Sequence, residues 1–505
     1  MTMPALALLI RFVTSLSADE WLQYRGPNHD GTSAELIRTN WNDAPPRQIW
    51  KVPLNFALSS FTIGGGRAYT QALRRVDTQK QEFCLALNAD TGAELWATPL
   101  GLGDYPNGGV GSDDGPRSTP TIDGDRVYVL TSYLRMACLD AATGQQVWSK
   151  DFVADFGATV IAWQNAASPL IVGDLIFMNC NAPGGRLLAL RKQDGTVAWQ
   201  RYDDRMTQST PVAATIQSVP QIIFFAQSGL VSVAPDTGEV LWHYAFPYSV
   251  STGASPVAAD DTVFCSAAYG VGAGAVRISK SGATLSTQEI WRTPGANMNH
   301  WATPVYHDGY LYGIFGHSLY HLGCVEVATG IETWAHNDAN SPGSYNLGGV
   351  LKVAGHILML TTRGELVLAK ADPTTYTEVA RLKAVTGRCW NVPAISNGRI
   401  YVRSTSEAAA YDVAVPGSPK PKLKLLPTLA ADRSLRLFIA NVDASPLDPA
   451  RAMNIDVFAT TNLSLGLPAW VKLPQATVFT NGQLLLDEPP TSTVDQKFFK
   501  AQERP

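Results

Sequence analysis

Charge is scarce in this chain. Only 16% of its 505 residues are Asp, Glu, Lys or Arg, and 43 acids against 39 bases leave a net charge of −4. No basic run tracks a phosphate backbone, so nucleic acid is not an expected partner. Histidines number eight and cysteines six, without a C-x-x-C, C-x-x-C-H or H-E-x-x-H, so zinc, c-type haem and zinc-protease sites find no support. A P-loop and a G-x-S-x-G elbow are also missing. No uncharged apolar run reaches 18 residues, and no transmembrane segment is expected. What the chain does have is 45% apolar residues, 47 aromatics, 42 glycines and 32 prolines. That composition suits a large packed core with many turns.

Residues 1–18 read as a signal peptide. Apolar stretches from Pro4 to Ile10 and from Phe12 to Ala18 flank Arg11, and Ser15 and Ser17 occupy the positions of a small-residue cleavage site. A buried N-terminal strand is the alternative. Export implies a periplasmic or extracellular location, and with no cysteine before Cys84 a lipidated N-terminal cysteine is not expected. Cys84, Cys138 and Cys324 are placed at one equivalent position of three repeats. Stacked sheets lie about 10 Å apart, beyond the Cα separation of about 7 Å that a disulfide tolerates, so these cysteines read as core. Cys180, Cys265 and Cys389 have no assignable partner.

Internal repetition organises the rest. An apolar strand, a turn ending in Thr-Gly or Asp-Gly, and a short strand carrying Trp recur as CLALNADTGAELW (Cys84 to Trp96), ACLDAATGQQVW (Ala137 to Trp148), LLALRKQDGTVAW (Leu187 to Trp199), LVSVAPDTGEVLW (Leu230 to Trp242) and GCVEVATGIETW (Gly323 to Trp334). Trp291 and the segment Tyr376 to Leu382 supply weaker copies. With Trp50 the marks recur every 43 to 52 residues, the period of a four-stranded propeller blade. A second marker opens each unit, as in STPTIDGDRVYV (Ser118), SPLIVGDLIFM (Ser168) and TPVYHDGYLYG (Thr303), with proline at a strand start where its missing N–H is tolerated. The last opening, from Val392, has no Trp strand after it, so the strand from Gln48 to Leu54 is expected to complete the eighth sheet. The expected fold is all-β: an eight-bladed β-propeller over residues 48–415, closed by an N-terminal strand. A lead over 19–47, a Pro-rich linker over 416–430 and a small C-terminal β module over 431–505 surround it.

The A-L-x-x-x-T-G-x-x-x-W pattern resembles the quinoprotein alcohol dehydrogenase-like (PQQ repeat) superfamily of eight-bladed propellers. WLQYRGPNHDG (Trp21 to Gly31), GPRSTP (Gly115 to Pro120), CWNVP (Cys389 to Pro393) and YVRS (Tyr401 to Ser404) resemble a secreted bacterial branch of PQQ-binding-like propellers. The superfamily's dehydrogenases hold a quinone beside Ca²⁺ with carboxylate and amide ligands, an Asp base and often two adjacent cysteines. Here no carboxylate sits at a strand opening, Asp113 and Asp114 lie in a Gly-rich loop, and no Cys-Cys pair occurs. No cofactor is therefore expected; PQQ with Ca²⁺ is the alternative.

Residues just before each innermost strand should ring one mouth of the central channel. They are Arg117, Trp163 with Asn165, Gln208, Tyr248 with Thr252, Asn299 to Trp301, Asn346, and Arg388 to Asn391. Ligand-binding candidates are Arg117, Trp163, Asn165, Gln208, His300, Trp301, Arg388, Trp390 and Asn391. The arginines suit a carboxylate or phosphate, and the tryptophans suit a sugar or quinone face. His300 is the catalytic candidate, because its reference pKa lies near neutrality. His317 and His321 sit four residues apart on a strand, about 13 Å, and cannot share a metal. The favoured function is a monomeric, exported, non-catalytic protein that binds a small molecule, a glycan or a protein partner at the channel mouth. A PQQ-dependent alcohol or sugar dehydrogenase and a carbohydrate-active enzyme are the alternatives.

Overall fold

The structure, a computed structural model, describes residues 20–104, 115–248, 250, 252–316, 319–337 and 348–415, and beyond these 423–429, 435–442, 447, 455–460, 471–473, 478–480, 483–488 and 498–503. The signal segment, Asp113, Asp114, His317 and Asn346 lie outside them. The described residues are all-β, with one short helix among them, Phe152–Phe156, capped by Asp151 and by Gly157 in the left-handed region. Contacts divide the described residues into two compact units, one ending at Ser418 and one after it.

In the larger unit, period-two alternation and tight Gly turns produce antiparallel sheets in simple meander order. The first is Thr62–Gly64, Arg67–Val76, Gln79–Asn88 and Glu94–Leu102. The same order repeats over residues 121–151, 170–201, 212–245, 257–294, 305–336 and 349–383. A last sheet holds Ala394–Ser396, Arg399–Arg403 and Glu407–Asp412, and its fourth strand is Arg47–Pro53, antiparallel to Glu407–Asp412. The result is a propeller-like stack of sheets.

The repeat tryptophans join each sheet to the next. Trp50 donates through Nε1 to Ala89 O at 2.8 Å and lies on Gly92, where an added Cβ would come within 2.7 Å of the indole. Trp96 sits likewise on Gly144, Trp148 on Gly195, Trp199 on Gly238 and Trp291 on Gly330. Gly92 has φ +72°, so the turn needs the left-handed backbone and the indole needs the missing side chain. Trp242 departs from the pattern and donates to Gln221 Oε1 of its own sheet. The hairpin that follows it, Gly272–Ser281 with Thr284–Pro294, runs past the point where other sheets turn. In the seventh sheet Ala380 stands where the others carry Trp. Trp41 from the lead is buried in the same core cluster, and Asn42 donates to Val379 O.

Hydroxyls at the strand openings form a second set of joints. The backbone N–H of Ser60 donates to Thr119 Oγ1 (3.0 Å), Thr119 to Ser168 Oγ, Ser168 to Thr210 Oγ1, Ser255 to Thr303 Oγ1, and Val392 to Ser60 Oγ (3.1 Å). Arg403, fully buried in the last sheet, donates to Thr70 Oγ1 and Gln71 O of the first and to Asn55 O. Burial depresses its guanidinium to about 9.

The lead crosses these openings. Trp21 pairs with Ile63, Leu22 O accepts from Ile122 N, Gly31 O from Lys352 N and Val413 O from Arg38 N. Between them Arg25, 1% exposed, donates to Thr303 O at 2.6 Å and Pro304 O at 2.7 Å. Thr32–Ser33 then pairs parallel to the strand Gly349–Val353.

Two expectations need correction. Trp148 and Trp334 face Cys138 and Cys324, but Trp96 faces Ala86. Cys84 is therefore two residues out of register with the other two, on the same strand face. All six cysteines are buried and unbridged. Within the expected linker, Leu423–Leu429 is a strand paired to Leu435–Asn441, because its alternating Lys and Leu have the period of a sheet. Among its described residues this second unit contains two sheets, residues 423–429, 435–441, 483–488 and 478–480 in one and 471–472, 455–460 and 498–503 in the other. Leu437, Ile439, Val457 and Leu486 pack in its core.

Trp50→Ala removes an indole shared by the last and first sheets and orphans Ala89 O; an equilibrium denaturation series should show a loss of roughly 3–5 kcal/mol. His29 is buried beside Arg25, and desolvation first, then the arginine charge, lowers its pKa to about 3. The unfolded chain, with histidine near 6.5, binds that proton first, so stability falls as pH drops from about 6.5 toward 3. Between pH 7 and 5 this contributes a loss of about 2 kcal/mol. His29→Asn, which tolerates the positive φ of 59°, should shrink the pH 5 to pH 7 difference in denaturation midpoint by a corresponding amount.

Candidate functional site

The strand openings converge on one cavity of about 150 Å³. Its wall includes Arg117, Trp163, Gln208, His300, Trp301, Trp390 and Asn391, each three to seven residues ahead of an innermost strand. Tyr24 reaches it from the lead and Tyr269 from the turn after Thr262–Ala267.

One side is a run of aromatic rings. Tyr269 meets His300 edge-on with centroids 4.8 Å apart, His300 lies 4.0 Å from Trp301, and Trp301 lies 4.9 Å from Trp390. Arg388 stacks on Trp390 with its guanidinium carbon 4.4 Å from the ring centroid, and Thr362 Oγ1 accepts from the Trp390 indole at 3.0 Å. His300 Nδ1 is 3.4 Å from the Tyr320 hydroxyl, whose pKa burial pushes up to about 12. His300 O accepts from Gly253 N at 2.9 Å, which fixes the loop that aims the imidazole.

Trp163 projects from a strained turn. Trp163 and Gln164 both have positive φ, 59° and 53°, a sparsely populated conformation for two successive side-chain-bearing residues. Gln208 holds the turn by donating to Ala162 O at 2.9 Å and Gln164 O at 3.4 Å. Gln208 thus works as a positioning residue as well as part of the wall.

The structure gathers most of the expected ring but not all of it. Asn165 stands behind the wall. Its amide donates to Thr131 O and Ala167 O and accepts from Ala167 N, which consumes it structurally. Arg388 covers the outer side of Trp390 and is absent from the described wall. Asn299 is buried with Nδ2 on Ile314 O, Thr252 bonds Ser266 O, and Tyr248 packs edge-on to Phe225. His321 faces Glu332 at 2.5 Å. Tyr269 and Tyr24 lie outside the opening marker, so reading that marker alone misses them. A bulky residue before Gly270 and the WLQYRGP motif were the available signals. Asn391 is 6% exposed; its Nδ2 donates to Ser59 O at 3.4 Å, and its Oδ1 meets no donor among the described residues.

The wall carries one cation, Arg117, and no carboxylate among the described residues, and no cluster of three or more potential metal-ligating side chains occurs among them. Calcium takes six to eight hard oxygen ligands, and this donor set does not fit it. The cavity is also smaller than the roughly 300 Å³ at which pockets for drug-sized ligands begin.

A family model described as outer membrane protein assembly factor BamB matches residues 79–335. Among curated relatives, BamB of Shewanella oneidensis is 27% identical over 30% of this chain and 36% of its own length, and BamB of Moranella endobia is 25% identical over 40% and 50%. The chain thus spans a third to a half of the relatives it matches. BamB from Moraxella catarrhalis aligns with a TM-score of 0.52 at 14% identity, over 74% of this chain and 99% of that one. Quinohemoprotein alcohol dehydrogenase from Comamonas testosteroni aligns at 0.58 and 12%, over 86% and 84%. These structural likenesses establish the propeller fold.

Gln208→Ala removes both hydrogen bonds that hold the turn at Trp163. Backbone exchange of residues 161–165 should speed at least tenfold, with a global stability loss of only about 1 kcal/mol. Unchanged exchange there would show that the turn is held by other contacts.

Proposed function

The chain belongs to the PQQ-like repeat family of β-propellers, and from that premise we propose that it is an exported, non-catalytic binding or scaffold protein that works through its channel mouth. The sheets over residues 47–412 are the eight blades of one ring. Supporting this, Trp50 sits on Gly92, Val392 N donates to Ser60 Oγ and Arg403 reaches Thr70, all between the last sheet and the first. The small module after it is an accessory.

The observation that carries the binding reading is the wall itself. Six aromatic side chains, Tyr24, Trp163, Tyr269, His300, Trp301 and Trp390, surround a space with one arginine and no carboxylate among the described residues. A concave aromatic site with a few convergent polar groups binds; calcium–quinone chemistry draws on carboxylates, and the described wall offers none. His300 lies between two rings with a phenol hydroxyl at 3.4 Å, the surroundings of a stacking residue. The relatives are outer membrane protein assembly factors, which favours a periplasmic location and a protein partner for the whole molecule, while the cavity takes a small group.

Purified protein supplied with PQQ, Ca²⁺ and a panel of alcohols and aldoses should reduce no dye above blank. Stoichiometric quinone uptake with dye reduction overturns the non-catalytic reading. On glycan and peptide arrays, Trp301→Ala and Trp390→Ala should each cut the strongest signals at least tenfold. A profile unchanged in both variants would mean that the mouth is not the binding site.

A further inference from the structure

The cavity draws its arginine and its aromatic run from different sheets. On the ring proposed above, the second and sixth sheets face one another, which sets Arg117, at the opening of the second, across from His300 and Trp301, at the opening of the sixth. The aromatic side continues without a break from Tyr269 through His300 and Trp301 to Trp390, with neighbouring centroids 4.0 to 4.9 Å apart. Arg388 lies over the Trp390 ring, 4.4 Å from its centroid, and outside the wall. Asn391, buried in the wall, presents an Oδ1 that accepts no hydrogen bond from the described residues. A buried acceptor of this kind costs free energy until a ligand supplies a donor.

A ligand that satisfies this geometry has one flat apolar face, one anionic edge and at least one hydroxyl or N–H donor. It is also small. About 150 Å³ is modest beside the roughly 300–1,000 Å³ of pockets for drug-sized ligands, which suits a single ring. A cation is disfavoured by Arg117, although aromatic walls alone would welcome one. A phosphate or short carboxylic acid answers the arginine and leaves the aromatic side unused. A pyranose offers axial C–H groups for stacking and several hydroxyl donors, and a carboxylate at its sixth carbon completes the set.

Resting on the binding reading above, we propose that the channel cavity is a site for a hexuronate, a six-membered sugar acid, taken either as the free sugar or as the end of a polyuronide chain. The carboxylate points to Arg117, the ring lies against His300 and Trp301, and a ring hydroxyl donates to Asn391 Oδ1. Tyr24, from the lead, bounds the space, so a chain enters by its terminus. A peptide C-terminus shares the carboxylate but brings fewer donors and no stacking face of its own.

The test is calorimetric titration of the whole protein, read together with intrinsic tryptophan fluorescence. The probes are D-glucuronate, D-galacturonate, D-glucose, an oligogalacturonide, sodium propionate and an acetylated dipeptide. Saturable binding of at least one hexuronate is expected, at least tenfold tighter than glucose and propionate. Arg117→Gln should erase that preference and leave glucose binding unchanged, Trp301→Ala should weaken both sugars, and Asn391→Leu should weaken the hexuronate at least fivefold. Circular dichroism and denaturation midpoints close to those of the parent show that each variant is folded. Oligogalacturonide binding tighter than the monosaccharide identifies the chain end as the ligand; equal affinity identifies the free sugar. Glucose bound as well as the hexuronates, or a dipeptide bound more tightly than either, overturns the sugar-acid assignment and leaves the mouth as a binding site. Binding of no probe, together with array profiles unaffected by Trp301→Ala and Trp390→Ala, overturns both.

Discussion

An indole resting where a Cβ would be is the contact on which the rest of the molecule depends. The aromatic residue comes from the outer strand of one sheet and the vacancy from a left-handed glycine in the turn of the next. Because the two halves lie on consecutive repeats, neither has a partner within its own sheet, and the sheets are stable only as neighbours. This is the nearest-neighbour energetics of a repeat protein, but with its two ends brought together at Trp50 and Gly92. Where the pattern fails, local substitutes appear. Gln221 captures the Trp242 indole within its own sheet, and Trp41 from the lead is buried in the cluster that includes Ala380.

The inner edge carries the same logic toward the site. Strand openings bond to one another through Ser and Thr hydroxyls, and the relay has no hydroxyl at Gly349 or Val392. Both residues line the cavity. The missing side chain at Gly349, where an added Cβ would strike Asn391 O at 2.4 Å, lets the seventh and eighth sheets approach closely and brings Asn391 into the wall. Positions that hold the ring together and positions that face the cavity are thus separated by only one to a few residues, and a change to either set reaches the other.

Much of the architecture is legible in the sequence because it is local. Thr-Gly turns, Pro at strand starts and the spacing of Trp each have a steric cause within one repeat, and Trp50 falls out of phase by one unit in a way that identifies its sheet. Cys84 is no counterpart of Cys138 and Cys324, because it stands eight residues ahead of its Thr-Gly glycine where they stand six, a spacing that the opposition of Ala86 to Trp96 bears out. Of the site, the residues immediately ahead of the openings were readable, since the repeat sets where they emerge. Which way each one turns was not. Asn165 is consumed by Thr131 and Ala167, and Arg388 leans back over Trp390, both decided by loops of no regular period. Tyr24 arrives from a segment outside the repeat altogether.

That segment has a consequence for how the molecule is made. Arg25 waits for Thr303, 278 positions away, and Arg38 for Asp412, 374 positions away. The lead, synthesised ahead of every sheet, is therefore among the last segments to find its contacts, and contacts of such long range are slow to form. Until the final sheet is complete, the Arg47–Pro53 strand remains an open edge. The order of synthesis and the order of assembly run in opposite directions, and the nascent chain must cross that interval without pairing its first strand to a neighbour.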